Sequence, residues 1–138
     1  MERYGMNTQA VKEWLIKAWH NLSTAQLLYQ AEHYTDVIAV DLHYAVEKML
    51  KSFLAYENKK IPKTHDLVDI YELIKKYINL ENKKFLLDQI GEYHIEESYP
   101  AFDRPLPPRK EIKEVLDFTE ELFDEVCEIL GIEKESLK

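Results

Sequence analysis

The chain has 138 residues, a formal net charge of −8 and one cysteine, Cys127. This length suits one compact domain with a real core, and a single cysteine excludes an internal disulfide framework. The negative charge excludes a generic grip on nucleic-acid backbone, which needs clustered Lys and Arg. No apolar run is long enough to span a membrane and the N-terminus lacks a secretory signal, so we expect a cytoplasmic protein without membrane contact.

Apolar residues recur at three- and four-residue spacings in five segments, which predicts five helices. The predicted helices cover about residues 8–31, 36–57, 65–77, 82–98 and 109–130. Thr35 and Thr64 are the predicted N-caps of the second and third helices, and Gly131 ends the fifth. The prolines after Tyr99 predict an extended connection between the last two helices. The pattern predicts an all-α, up-down bundle of four long helices and one short helix.

One domain accounts for the whole chain. Residues 1–138 contain no internal repeat and no boundary that divides them, so we predict a core at about residues 8–130 with short flexible termini. In this bundle the second helix has a broad apolar face and one polar side, which predicts a central position.

A polar ladder lies on that second helix. His43, Glu47 and Lys51 follow one another at four-residue intervals and therefore share one face. The ladder is either a solvated face with ordinary helix pairings or one wall of a ligand groove. The sequence favours the solvated face.

A lysine-rich loop precedes the third helix and includes Lys63, Thr64 and His65. Residues 48–65 carry five lysines and only one acidic residue, Glu57. A helix beginning at Thr64 would offer free N–H groups and a positive dipole end to a phosphate. Alternatively, Thr64 and Asp66 satisfy those N–H groups themselves, and the residue types favour this second interpretation.

Metal sites and covalent catalysis have little support in the residue pattern. Di-iron bundles use Glu-x-x-His pairs, and no Glu in this chain has a His three residues later. His94 and Glu97 form only a reversed pair, and one cysteine argues against structural zinc. We therefore predict no metal, and we interpret Cys127 as a small apolar residue of the last helix.

The segment "YAVEKMLKSFL", followed after a short loop by "KTHDL", resembles the HEPN domain family. "YHIEESYP" at residues 93–100 is similar to a second recurring segment of that family, with Ser98 where an Arg is common. The resemblance covers most of the chain and implies a helical bundle. It also implies dimerisation, nucleotide binding and frequent association with a minimal nucleotidyltransferase, in several cases as a toxin–antitoxin pair.

Many HEPN proteins are metal-independent endoribonucleases that use an Arg followed, four to six residues later, by a His. The three arginines here are Arg3, Arg104 and Arg109, and none has such a His. We therefore lean against an enzyme. His94 or His65, together with Arg104, are the candidates for a departed ribonuclease site, and a purely structural adaptor is a third alternative.

The leading hypothesis is a binding subunit that docks a nucleotidyltransferase and holds a nucleotide or RNA end. No cofactor is certain. The candidate nucleotide-binding residues are His43, Glu47, Lys51, Lys63, Thr64 and His65. We also expect a homodimer, because Ile16, Trp19 and Leu27 lie outside or at the edge of the apolar stripe of the first helix.

Overall fold

The computed structural model describes residues 7–100 and 104–138. Residues 1–6, which include Arg3 and the predicted flexible N-terminus, lie outside the described residues. So do residues 101–103 of the predicted extended connection. Within the described ranges the chain contains helices and loops but no strands, which confirms the all-α prediction.

Five α-helices follow one another along the chain. They are α1 (Thr8–Gln30), α2 (Thr35–Tyr56), α3 (Leu67–Ile74), α4 (Lys84–Glu96) and α5 (Arg109–Leu130). Two 3₁₀ turns, Glu81–Lys83 and Lys134–Leu137, precede α4 and follow α5. The four long helices and the short α3 match the predicted number and order of elements.

Helix α2 occupies the centre of the bundle and contacts all four other α-helices. Four large residues of its apolar face, Ile38, Leu42, Met49 and Phe53, are fully buried. Because α1 and α2 are joined only by residues 31–34, they pack as antiparallel neighbours. Helix α5 packs against both, so one continuous core runs through the domain.

Two predicted helix starts are wrong, for a local reason. Asp66, not Thr64, is the N-cap of α3, and its carboxylate accepts a hydrogen bond from the Asp69 N–H at 3.0 Å. Thr64 lies two residues earlier and accepts from the Asp66 N–H. At α2 the N-cap is Tyr34, which makes no side-chain cap, and Thr35 is the first helical residue. At the other end of the chain, α5 ends at Gly131 as predicted.

The last residues of the chain pack against the bundle. Residues Lys134–Leu137 form a 3₁₀ turn that packs on α1, and Leu137 is buried. Lys138 lies over the ring of Trp19, which in turn contacts Phe123. Apolar contact with α1 therefore fixes this end of the chain.

Candidate functional site

A buried carboxylate, Glu47, organises the polar side of α2. One carboxylate oxygen, Oε1, lies 3.0 Å from His43 Nε2 and 2.8 Å from His65 Nδ1. The other, Oε2, accepts a hydrogen bond from Lys51 Nζ at 2.9 Å. We call Glu47 with its three donors the Glu47 network. It links two turns of α2 to the loop that precedes α3.

The predicted solvated face is wrong for this ladder. His43 is fully buried, and Glu47 and Lys51 are each only 5% exposed. Helices α3 and α4 pack against α2 and cover it, which the residue spacing along α2 could not reveal. The alternative, that the ladder forms one wall of a ligand groove, stays a prediction, since the ladder residues lie behind the side chains that line the nearest cavity.

His43 joins α2 to α4 through its second ring nitrogen. Its Nδ1 lies 3.0 Å from the carbonyl oxygen of Ile90, which can only accept a hydrogen bond. Its Nε2 faces Glu47, so both ring nitrogens are directed at acceptors.

Glu47 is ionised over the whole physiological range. Burial raises the pKa of its carboxyl, but the hydrogen bonds from His43, Lys51 and His65 outweigh burial and lower this pKa to about 2. Buried charges are costly unless they are paired and hydrogen-bonded, and here each one is. Such networks are common where a protein holds functional side chains in place.

A third histidine, His94 from α4, completes the site. The His94 ring lies with its centroid 4.0 Å from that of His65 and 5.2 Å from that of His43. Its Nδ1 lies 3.3 Å from the Tyr44 hydroxyl. Burial and the nearby His65 and His43 lower the pKa of His94, so its neutral form is favoured at neutral pH.

His65 and His94 line a cavity of about 370 Å³ between the beginning of α3 and the end of α4. We call it the histidine cavity. The His65 side chain is 44% exposed there. The rest of the cavity lining is both apolar and acidic. Leu67, Ile95 and Tyr99 supply apolar surface, and Gly91 also borders the cavity. Asp66, Asp88 and Glu92 supply carboxylates. Among the described residues that line it, none is Lys or Arg.

The structure brings together some of the predicted binding residues and not others. His43, Glu47, Lys51 and His65 form the Glu47 network, and Lys63 lies exposed on the loop outside it. The Thr64 hydroxyl accepts a hydrogen bond from the Asp66 N–H, and the Asp66 carboxylate caps α3. The beginning of α3 therefore satisfies its own N–H groups, as the second interpretation of this loop predicted.

The two candidate catalytic residues do not share a site. His94 lies in the histidine cavity, whereas Arg104 contacts the Tyr99 carbonyl and approaches the Glu97 carboxylate at 3.9 Å. Arg104 lines a different, smaller cavity that includes Asp36 and Leu106. This separation gives no support to a joint catalytic role of the two residues.

Sequence reasoning missed Tyr44, Tyr99 and the carboxylates of the cavity. Tyr99 and His94 both lie in "YHIEESYP", so this shared segment could have indicated that Tyr99 belongs to the same site as His94. Tyr44 follows His43 directly. Asp88 and Glu92 carry no such signal, because only the packing of α4 beside the α3 N-terminus places them at the cavity.

A larger groove of about 770 Å³ lies at the end of α5 and is lined mostly by carboxylates. Cys127 borders it, and burial raises the pKa of its thiol to about 11. A thiol of this pKa is a weak nucleophile at neutral pH. Cys127 is buried, as the small apolar residue predicted for α5 should be, and the histidine cavity is the better candidate site.

The fold and site define a helical domain with a buried acid–base network at one end. The model of the HEPN domain matches residues 11–130, and the chain therefore belongs to the HEPN family. The structure is also similar to the crystal structure of TT1696 from Thermus thermophilus. Its TM-score is 0.72 at 24% identity, and the match covers 86% of this chain and 97% of that one. No curated protein matched the sequence. None of the described helices is long and apolar enough to cross a membrane.

Proposed function

We propose that this HEPN domain is a binding subunit that holds a nucleotide in the histidine cavity. The observation that carries the proposal is the Glu47 network, whose buried charges lie directly behind the two histidines that line the cavity. A fold that needed only stability could fill these positions with apolar residues at little or no cost. The hydrogen bond from His65 to Glu47 instead holds an imidazole at the cavity wall.

The cavity lining suits one nucleotide unit with few phosphates. Ring faces of Tyr99 and the histidines can stack on a base, and Leu67 and Ile95 add apolar surface. Carboxylates of Asp88 and Glu92 can accept hydrogen bonds from ribose hydroxyls or base amino groups. Because three carboxylates line the cavity, a triphosphate would meet more repulsion than a monophosphate. We therefore propose a mononucleotide or an RNA end as the ligand.

We further propose that the domain works as a dimer beside a minimal nucleotidyltransferase partner, in a toxin–antitoxin setting. Membership of a family in which such pairing is common supports this. The three apolar residues of α1 that suggested self-association differ in exposure. Ile16 and Trp19 are partly buried against the core, whereas Leu27 is 66% exposed.

Thermal unfolding across a nucleotide panel tests the proposed ligand. Mono-, di- and triphosphates are compared in EDTA, so that metal ions play no part. A ligand at about 100 times its Kd should stabilise the fold by about 2.7 kcal/mol and raise Tm by several degrees. We expect the largest shift from a monophosphate.

Variants place the effect in the cavity. His94→Ala and Tyr99→Ala should each lose the Tm shift, because both side chains line the cavity. His33→Ala, an exposed histidine after α1, should keep it. A flat response to every nucleotide, or a shift that survives in both cavity variants, would refute nucleotide binding at this site and leave protein partnership as the main function.

A further inference from the structure

Three of the five histidines in the chain converge on one point. His43 comes from α2, His65 from the loop before α3 and His94 from α4. Each offers a ring nitrogen, and these nitrogens lie within 4.8 Å of one another. Because the three residues are far apart in sequence, residue spacing gave no sign of the cluster and we predicted no metal.

We propose that His43, His65 and His94 form a binding site for a divalent transition metal ion of the zinc class. Imidazole nitrogen is a preferred ligand of Zn²⁺, Ni²⁺ and Cu²⁺, whereas Mg²⁺ and Ca²⁺ prefer oxygen. Three protein ligands with one open position are typical of zinc sites that act on a bound molecule. The histidine cavity leaves room there for a water molecule or a ligand oxygen.

The hydrogen bonds of the three rings agree with this role. A metal-binding histidine usually donates its second N–H to a carboxylate or a backbone carbonyl. His65 Nδ1 faces the Glu47 carboxylate, which leaves its Nε2 for a metal. His43 Nδ1 faces the Ile90 carbonyl, and its Nε2 would exchange a 3.0 Å contact with Glu47 Oε1 for the metal. His94 Nδ1 faces the Tyr44 hydroxyl, which can accept from it, so Nε2 is again left over.

Modest movement would complete the coordination. Metal–nitrogen bonds of about 2.0–2.1 Å at tetrahedral angles place the ligand nitrogens about 3.3 Å apart. The cluster must therefore tighten from its present spacing of up to 4.8 Å. His43 is fixed by burial, but the 44% exposed His65 and the half-buried His94 can rotate toward it.

The charges near the cluster favour a cation. Asp66, Asp88 and Glu92 line the adjoining cavity and attract positive charge. On binding, His43 Nε2 gives up its proton to solvent and its hydrogen bond to Glu47. Glu47 keeps its hydrogen bonds from Lys51 and His65, so its carboxylate stays paired.

Titration of the tag-free, EDTA-treated protein with Co²⁺ alone tests the site. Co²⁺ substitutes for Zn²⁺ and absorbs visible light strongly in tetrahedral nitrogen sites. We expect one Co²⁺ per chain, displaced by Zn²⁺ and not by Mg²⁺. His65→Ala and His94→Ala should weaken binding at least about tenfold, since even loss of a residue that only supports a ligand costs 10–100-fold.

The two histidines outside the cluster, His20 and His33, supply matched controls because both are exposed. His20→Ala and His33→Ala should bind Co²⁺ as the unchanged protein does. Binding that is absent, that survives in His94→Ala or that disappears with His33→Ala would overturn the proposal. No nucleotide enters this titration and no metal enters the nucleotide panel, so each proposal can fail without the other.

Discussion

At the scale of single residues, the Glu47 carboxylate is the shared hydrogen-bond partner of several basic side chains. It is 5% exposed and lies within hydrogen-bond distance of three basic side chains, His43, Lys51 and His65. Removing one member of a buried ion pair leaves the others without a counter-charge, which typically costs about 3–5 kcal/mol. The network should therefore be visible in stability measurements as well as in binding.

Glu47→Gln should lower the free energy of unfolding at neutral pH by about 3 kcal/mol, because a neutral amide cannot balance the buried Lys51 ammonium. Urea denaturation measures this change. Glu114→Gln on the exposed side of α5 is the control, and it should change stability by less than about 0.5 kcal/mol.

The Glu47→Gln effect should also depend on pH. The pKa of Glu47 falls from 4.5 to about 2 on folding, so its ionised form stabilises the fold fully above pH 4.5. This stabilisation is lost as the pH falls through the folded pKa near 2. The stability gap between the natural protein and Glu47→Gln should therefore shrink from pH 4.5 downward. A gap that is constant across this range would contradict the assigned role of Glu47.

At the scale of elements, the apolar pattern predicted the long helices closely. Predicted ranges of 8–31, 36–57 and 109–130 compare with Thr8–Gln30, Thr35–Tyr56 and Arg109–Leu130. The predicted ranges of α3 and α4 are longer than the helices. Asp66 is the N-cap of α3, so this helix begins after it, and a 3₁₀ turn replaces the first predicted turn of α4. These differences depend on caps and local backbone geometry, which the apolar period does not encode.

Two glycines at helix positions should respond to alanine in opposite directions. Gly131 ends α5 with φ +68°, where a Cβ is strained, so Gly131→Ala should destabilise the protein by about 1 kcal/mol. Gly91 lies inside α4, and a Cβ there would meet Leu67 atoms at ordinary distances of 3.8–4.0 Å. Gly91→Ala should stabilise by about 0.5–1 kcal/mol.

Thermal or urea unfolding of the two glycine variants, side by side, checks this pair. Each variant serves as the control of the other, since both exchange the same two residue types. Shifts of the same sign would show that the backbone at Gly131 or the packing at Gly91 is not as described.

At the scale of the whole molecule, the candidate site exists only in the folded domain. The helical period placed His43, Glu47 and Lys51 on one face, and His65 was a candidate from the lysine-rich loop. The ladder is buried, and His94 lies against His65, because α3 and α4 pack on α2. This packing is tertiary structure, which the helical period of α2 does not encode. The residue types were therefore predictable, but the shared site was not.

Binding of a mononucleotide in the histidine cavity can be observed residue by residue in an NMR titration of the isotope-labelled 16.4 kDa protein. Adding a nucleoside monophosphate in EDTA should shift the signals of His65, Gly91, His94 and Tyr99 together, with one saturation curve. Signals of Gly131 and Cys127, at the end of α5 and outside the cavity lining, should stay in place. Shifts confined to the lysine-rich loop or the α5 end, or no shifts at all, would contradict mononucleotide binding in the histidine cavity.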